Sequence, residues 1–219
     1  MSVAEGTMRR PLRSRQTRWA AALAESVARR GVTPNQISLA SVGSAALAGG
    51  CLALAPASAA FWGSVLLVAA AVCIQLRLLC NLLDGMVAIE GGLKTRSGEI
   101  FNDLPDRLAD LLIFVGAGFA IGGGGWGGTL GWAAALLAIL TAYVRVLGVS
   151  AGAGAHFEGP MAKPQRMALM TAACLTGAIE VAAGGHGRAM AAALAVIVVG
   201  CVVTIVRRTW RILRELEAR

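Results

Sequence analysis

Between Asn81 and Asp110 the sequence reads NLLDGMVAIEGGLKTRSGEIFNDLPDRLAD, with oxygen-bearing side chains at helical spacing on both sides of a short basic, Gly-punctuated turn. Asn81 and Asp84 stand three apart, and Asn102, Asp106 and Asp110 stand four apart, so each set shares one helix face. Both arms run outward into apolar sequence, RLLC on one side and LLIFVGAGF on the other. Polar residues facing each other across two membrane helices are expensive and point to function by default. Two helices meeting through such a turn bring four oxygen-bearing side chains together. A hard divalent cation, Mg²⁺ or Mn²⁺, takes that kind of site, usually completed by substrate phosphates.

The spacing resembles that of the integral-membrane CDP-alcohol phosphotransferases (CDP-alcohol phosphatidyltransferases). That family carries D-x-x-D-G-x-x-A-R, eight residues, then G-x-x-x-D-x-x-x-D. Here the run is Asn81-x-x-Asp84-Gly85-x-x-Ala88-Ile89, eight residues, then Gly98-x-x-x-Asn102-x-x-x-Asp106, in register without a gap. Asn81 and Asn102 replace the first and third Asp, and Ile89 replaces the Arg. The resemblance implies attack by an alcohol hydroxyl on the β-phosphorus of a CDP-linked lipid, with release of CMP, in phospholipid biosynthesis. It implies Asn81, Asp84, Asn102 and Asp106 as metal ligands and Asp84 and Asp106 as catalytic residues, Asp106 being the general base. Gly85, Ala88 and Gly98 match small positions beside the nucleotide, and Lys94 and Arg96 stand in the same turn as the Arg lost at Ile89. Basic residues in the region of Arg145, Lys163 and Arg166 hold the acceptor or the diphosphate in the family. Topology alone also accounts for cationic residues there.

Two Asp-to-Asn replacements remove two negative charges from a site meant for dications. A second metal then binds weakly unless Glu99, Asp103 or Asp110 helps. The alternative to an active enzyme is a weakened or inactive relative that binds nucleotide or lipid, or a small carrier. A carrier would place polarity near mid-bilayer or show an inverted repeat. Polarity here concentrates at one end, which favours the enzyme.

The elements that must position these residues are membrane helices. The 219 residues are 57% hydrophobic, only 15% charged, and have a mean hydropathy of +0.68, which excludes an ordinary soluble domain. The net charge of +8 comes from Arg clustered at the chain ends without aromatic interleaving. Anionic membrane lipids are therefore expected as partners, and nucleic acid is not. All five cysteines fall in apolar runs without metal-ligand spacing and read as small buried hydrophobes. Residues 1 to 30 hold Arg-rich sequence and no apolar signal core, so the membrane segments direct insertion.

The expected fold is all-α and integral to the membrane, with six transmembrane helices and an N-terminal amphipathic interfacial helix. Residues 1–33 form a basic segment and that helix, in which Trp19, Leu23 and Val27 recur every four residues. Thr33-Pro34-Asn35-Gln36 reads as a capped helix start. The P-N-x-I-S run also resembles the start of the family's first membrane helix. Residues 34–208 hold spans near 36–54, 60–88, 100–121, 129–150, 164–183 and 188–207, each close to the ~20 residues needed to cross. Ala45-x-x-x-Gly49 and Ala46-x-x-x-Gly50 offer close helix contact. Residues 209–219 form a basic tail.

Turns near 55–59 and 122–128 carry no Lys or Arg, whereas Lys94, Arg96, Lys163, Arg166 and the Arg-rich ends lie on the other side. By the positive-inside rule both termini and the site face the cytoplasm, as in a multi-pass protein of the cell inner membrane. GGGGWGG at 122–128 lacks the Lys and context of a phosphate loop. His156 and His186 fall on opposite sides, with no nucleophile near either, so a hydrolase triad is unsupported. The expected partners are a CDP-linked lipid and an alcohol acceptor, with a homodimer left open.

One expectation lies outside the motif. Arg77 sits seven residues deeper than Asp84 and Asp110 eight deeper than Asn102, roughly 10–12 Å at ~1.5 Å per residue. If the two polar faces meet at the site, Arg77 and Asp110 meet one turn below and form its floor; the competing reading is that Arg77 reaches up to the substrate diphosphate. An unpaired charge at that depth is costly.

Overall fold

The computed structural model describes residues 17–90, 98–122 and 125–218, the side chains of residues 89, 90, 99 and 102 excepted. These residues form seven α-helices: α1 (Arg18–Arg29), α2 (Pro34–Leu54), α3 (Ala60–Glu90), α4 (Gly98–Ala120), α5 (Trp126–Ser150), α6 (Lys163–Ala182) and α7 (Arg188–Glu217). A 3₁₀ turn at Ala55–Ala57 links α2 to α3. Four of the helical stretches, Pro34–Ala57, Ala60–Ala88, Trp126–Ser150 and Arg188–Glu217, are long and apolar enough to cross a membrane. The remaining two long helices, α4 and α6, carry charged residues of the site, as does the C-terminal half of α3.

The start of α2 is set locally. Gln36 N–H donates to Thr33 Oγ1 at 3.3 Å and Thr33 N–H donates to Gln36 Oε1 at 2.9 Å, a reciprocal cap with Pro34 in the first turn. Glu180 does the same work across a turn, accepting from the N–H groups of Arg188 and Ala189 at the start of α7. A carboxylate is well placed at a helix N-terminus, where orphan donors and the dipole favour negative charge.

Helix α2 packs along both α3 and α4, and these two meet each other sparingly. Small residues allow this. A Cβ on Gly49 would lie 2.4 Å from Leu112 O, and one on Gly116 would lie 2.4 Å from Gly49 O. Of the two small-residue pairs seen in the sequence, Ala45 and Gly49 are buried, while Ala46 and Gly50 are exposed. Gly116→Ala should therefore destabilise the bundle by about 1–3 kcal/mol, because backbone cannot move aside as a side chain can. Gly50→Ala, with nothing within 4 Å of the added carbon, should be neutral. Thermal unfolding of the two variants in detergent checks the contrast.

The core between α2, α3, α4, α5, α6 and α7 is built of Ala, Met and a few larger groups such as Phe114, Leu52 and Ile197. Helix α1 has its own packing. Ala20 and Ala24 are fully buried against Leu82, Leu83, Met86 and Val87 of α3, while Trp19 is exposed. The Trp19–Leu23–Val27 stripe thus lies beside the buried face, and α1 covers the end of α3 that carries Asp84.

At the other end of the chain, α7 runs to Glu217, so the tail at 209–219 is largely its continuation. Ile212 is buried against Gly148, and Glu215 accepts from Gly154 N–H at 2.9 Å and pairs with His156 at 2.8 Å. Those contacts reward continued helix where composition alone suggested a tail.

Candidate active site

The Asn–Asp pair of α3 and the Asp of α4 converge beside the start of α2. Asn81 Nδ2 donates to Asp106 Oδ1 at 2.7 Å and ties the two motif arms together. Ser41 Oγ of α2 donates to Asn81 Oδ1 at 3.1 Å, which fixes the orientation of the amide. Ser38, one turn earlier, donates to Asp84 Oδ2 at 2.9 Å, and Gly85 N–H donates to Asp84 Oδ1 at 2.6 Å. Ser38 is 4% and Ser41 is 1% exposed, so α2 is a wall of the site and not only packing. The sequence reading did not assign these two serines. Ser44 continues the same three-residue spacing along α2, so spacing alone does not single them out.

Asp106 has a second partner. Lys163 Nζ, from the first turn of α6, lies 2.5 Å from its Oδ2. Lys163 is therefore at the motif carboxylate itself. Pro105, just before Asp106 inside α4, removes one backbone donor from the ladder close to the site.

Beneath this layer, Arg77 Nη2 lies 2.6 Å from Asp110 Oδ1 and 3.3 Å from the Asp106 carbonyl oxygen. Arg77 is fully buried and Asp110 is 1% exposed. The structure thus puts the two residues in contact, but it adds a third. Arg166 Nη2 lies 2.7 Å from Asp110 Oδ2, and its Nη1 donates to Met161 O and Thr141 Oγ1. Arg166 was expected beside the acceptor, yet at 2% exposure it is committed to the floor. The reason is its register: three residues beyond Lys163, it points into the bundle where Asp110 lacks a second partner.

Arg145 was also expected at the acceptor or diphosphate. It lies 2.8 Å from Asp103 Oδ1 and stacks over the Phe157 ring at 5.2 Å. Asp103 also takes Arg107 at 3.0 Å, so Asp103 carries two cations on the solvent side of the motif. Gly85 is buried beside Asp84, Ala88 is half-buried a turn beyond it, and Gly98 opens α4. Asn102 lies on α4 one turn before Asp106, its side chain being outside the described residues, as are Lys94 and Arg96 entirely.

Among the described residues no three His, Cys, Asp or Glu side chains converge to hold a metal. Two carboxylates do face each other across Asn81, and the amide Oδ1 keeps a lone pair beyond the Ser41 bond. Carboxylate plus carboxamide oxygen is a donor set whose chemistry fits a hard divalent ion.

No family model matches the chain. Among characterised proteins, it is 30% identical to the phosphatidylinositol phosphate synthase of Mycobacteroides abscessus over 194 residues, covering 85% of this chain and 80% of the relative. It is 28% identical to the phosphatidylinositol phosphate synthase of Streptomyces avermitilis over 192 residues, covering 85% and 75%. The fold is shared with crystal structures of the Mycobacterium tuberculosis phosphatidylinositol phosphate synthase. The form with CDP-DAG bound superposes with a TM-score of 0.71 at 21% identity, over 91% of this chain and 94% of that one. The form with manganese and citrate gives a TM-score of 0.73 at 19% identity, over 89% and 88%. With the motif in register, its two arms joined at Asp106, and a 30% identical relative matched over most of its length, the chain belongs to the CDP-alcohol phosphotransferase family of membrane transferases.

Proposed function

We propose that this protein transfers a phosphatidyl group from a CDP-linked lipid to an alcohol that itself carries phosphate, releasing CMP. The observation that carries the reading is the Asn81–Asp106 contact at 2.7 Å, which joins both halves of the motif in one layer with Asp84. The donor class is supported by the CDP-DAG bound to the Mycobacterium tuberculosis enzyme, and the acceptor class by the name of the relatives.

In this reading Asp84 and Asp106, with the amide oxygens of Asn81 and Asn102, hold Mg²⁺ or Mn²⁺, as manganese in the Mycobacterium tuberculosis enzyme suggests. The bound ion supplies charge neutralisation for the diphosphate and in-line placement of its leaving group. Ser38 and Gly85 N–H hold Asp84 as an anion in a fixed pose. Asp106 takes the acceptor proton as the new O–P bond forms and the P–O bond to CMP breaks. Asn81 and Lys163 orient its two oxygens meanwhile. Gly85, Ala88 and Gly98 leave room for the nucleotide, with Lys94 and Arg96 beside it. Lys163 and Arg145 face the diphosphate and the acceptor phosphate, and Arg77 and Asp110 support the ligand layer from below.

Six helices, α2 to α7, cross the membrane, with α4 and α6 tolerated there because their charges are paired within the bundle. Helix α1 rests in the interface, and both termini face the cytoplasm of an inner membrane whose anionic lipids meet the Arg-rich ends. A cysteine placed at Ser97 should be labelled from the cytoplasmic side and one at Gly124 from the outside. The reverse pattern would overturn the orientation.

The direct test is CMP release from CDP-diacylglycerol by the purified protein with Mg²⁺ or Mn²⁺, scanned over phosphorylated and neutral alcohols. Turnover with a phosphorylated polyol is expected. Turnover with neutral alcohols alone would refute the acceptor class, and none with any alcohol would favour a binding protein.

A further inference from the structure

We propose that the ammonium group of Lys163 serves as a built-in second cation of the transfer site, so that the protein works with a single divalent ion. The inference rests on the transferase reading for its purpose but not for its test. Phosphoryl transfer between two oxygens is commonly served by two metal ions, one toward each oxygen. Such a pair needs several carboxylates. Here the four motif positions offer two, because Asn81 and Asn102 bring no charge.

Lys163 stands where the missing cation would be needed. Its Nζ is 2.5 Å from Asp106 Oδ2, while Asn81 occupies Oδ1, so both oxygens of that carboxylate are engaged by donors from the protein. The lysine side chain is 24% exposed, enough to meet a substrate phosphate without leaving Asp106. Lys is a common phosphate partner and acts as a compact point charge.

Helix electrostatics do not explain a lysine in this place. Lys163 opens α6, and a cation at a helix N-terminus opposes the macrodipole. The rest of the chain fixes it there nonetheless. Arg166, one turn on, is locked to Asp110, Thr141 and Met161. Met161 N–H donates to Thr204 Oγ1 at 3.1 Å. Gly159, at φ +139°, lies where a Cβ would come within 2.4 Å of Thr204. The segment before α6 is thus held against α7, and Lys163 is presented at a fixed height above the floor.

Charge decides the number of ions. Among the described residues of the two layers, Asp84, Asp106 and Asp110 face Arg77, Lys163 and Arg166, so three negative charges meet three positive ones. One divalent ion adds two positive charges, which match about one negative charge on each phosphate of a CDP-linked donor. A second divalent ion would leave a double positive excess in a site walled by membrane helices, where uncompensated charge is costly.

The test is titration of the full-length protein in detergent with Mn²⁺ alone, counted by the loss of the free-ion electron paramagnetic resonance signal. Wild type and Lys163→Arg should each bind one Mn²⁺ per chain at the site. Lys163→Met should bind Mn²⁺ at least about tenfold more tightly. Asn81→Asp/Asn102→Asp should still bind one ion, because the Lys163 ammonium stays on Asp106 Oδ2, and adding Lys163→Met to that pair should free this oxygen and admit the second. Two ions in wild type, or none, would overturn the proposal, and so would an affinity unchanged by Lys163→Met. If the Met variants fail to fold, the counts for wild type, Lys163→Arg and Asn81→Asp/Asn102→Asp still decide it. Ion counting needs no turnover, so failure of the transferase reading shows separately, as absence of CMP release.

Discussion

Asp106→Asn should lower CMP release by about 10³-fold or more, with the protein still folded and inserted. In the proposed mechanism Asp106 is both general base and metal ligand; general-base catalysis alone is worth roughly 10²–10⁴-fold, and the change would also remove a charge from the metal site. The substitution is a mild one sterically. The site already accommodates a carboxamide at Asn81, and an amide oxygen at 106 can still accept from Asn81 Nδ2. What it removes is the charge paired with Lys163 at 2.5 Å and the capacity to take a proton. Lys163 is partly exposed and can turn to solvent, so stability should change little. Asp84→Ala should be comparably inactive for a different reason. It deletes the carboxylate that Ser38 and Gly85 hold in place, and Mn²⁺ binding should weaken with it. Measuring CMP release and Mn²⁺ affinity on the same preparations separates base from ligand. Activity within tenfold of wild type for Asp106→Asn would remove it as the base.

The motif was legible because its chemistry has a period. Residues three and four apart on two helices meet only if the helices cross at the site, and Asn81 and Asp106 do. Arg77 and Asp110 were legible for the same reason, carried one turn deeper. Ser38 and Ser41 were not, because serine in a membrane helix commonly bonds back to its own turn and carries no distinctive spacing. The contact of Arg166 with Asp110 was not legible because a sequence gives a basic residue's height along a helix but not its azimuth. At α6 the two cations three residues apart divide, Lys163 to Asp106 and Arg166 to Asp110. The clamp by Arg208, which donates to Glu158 O, Phe157 O and Thr141 O, joins elements far apart in sequence and left no periodic trace. The end of α7 was missed because its last turns are polar. Their contacts are to loop residues 154 and 156.

The floor should make Asp110 the most sensitive charged residue for stability. It bridges two guanidinium groups, Arg77 at 2.6 Å and Arg166 at 2.7 Å, and all three side chains are at most 2% exposed. Breaking one buried pair typically costs about 3–5 kcal/mol, because the partner is left charged and dry. Asp110→Asn strands two partners at once, so its cost should reach the upper part of that range or exceed it. Arg77→Met should cost less, about 1.5–3 kcal/mol for the charged hydrogen bond to Asp110 and the longer one to the Asp106 carbonyl, since Asp110 keeps Arg166. A simple two-residue floor predicts that Asp110→Asn rescues Arg77→Met. The three-residue floor predicts no rescue, because Arg166 would then face only Thr141 and the Met161 carbonyl. Adding Arg166→Met to that double variant should recover stability, as apolar replacement of a whole buried ionic cluster is often neutral. Thermal unfolding in detergent, followed by tryptophan fluorescence, orders the four variants. A double variant as stable as wild type, or Asp110→Asn no worse than Arg77→Met, would show that Arg166 does not depend on Asp110.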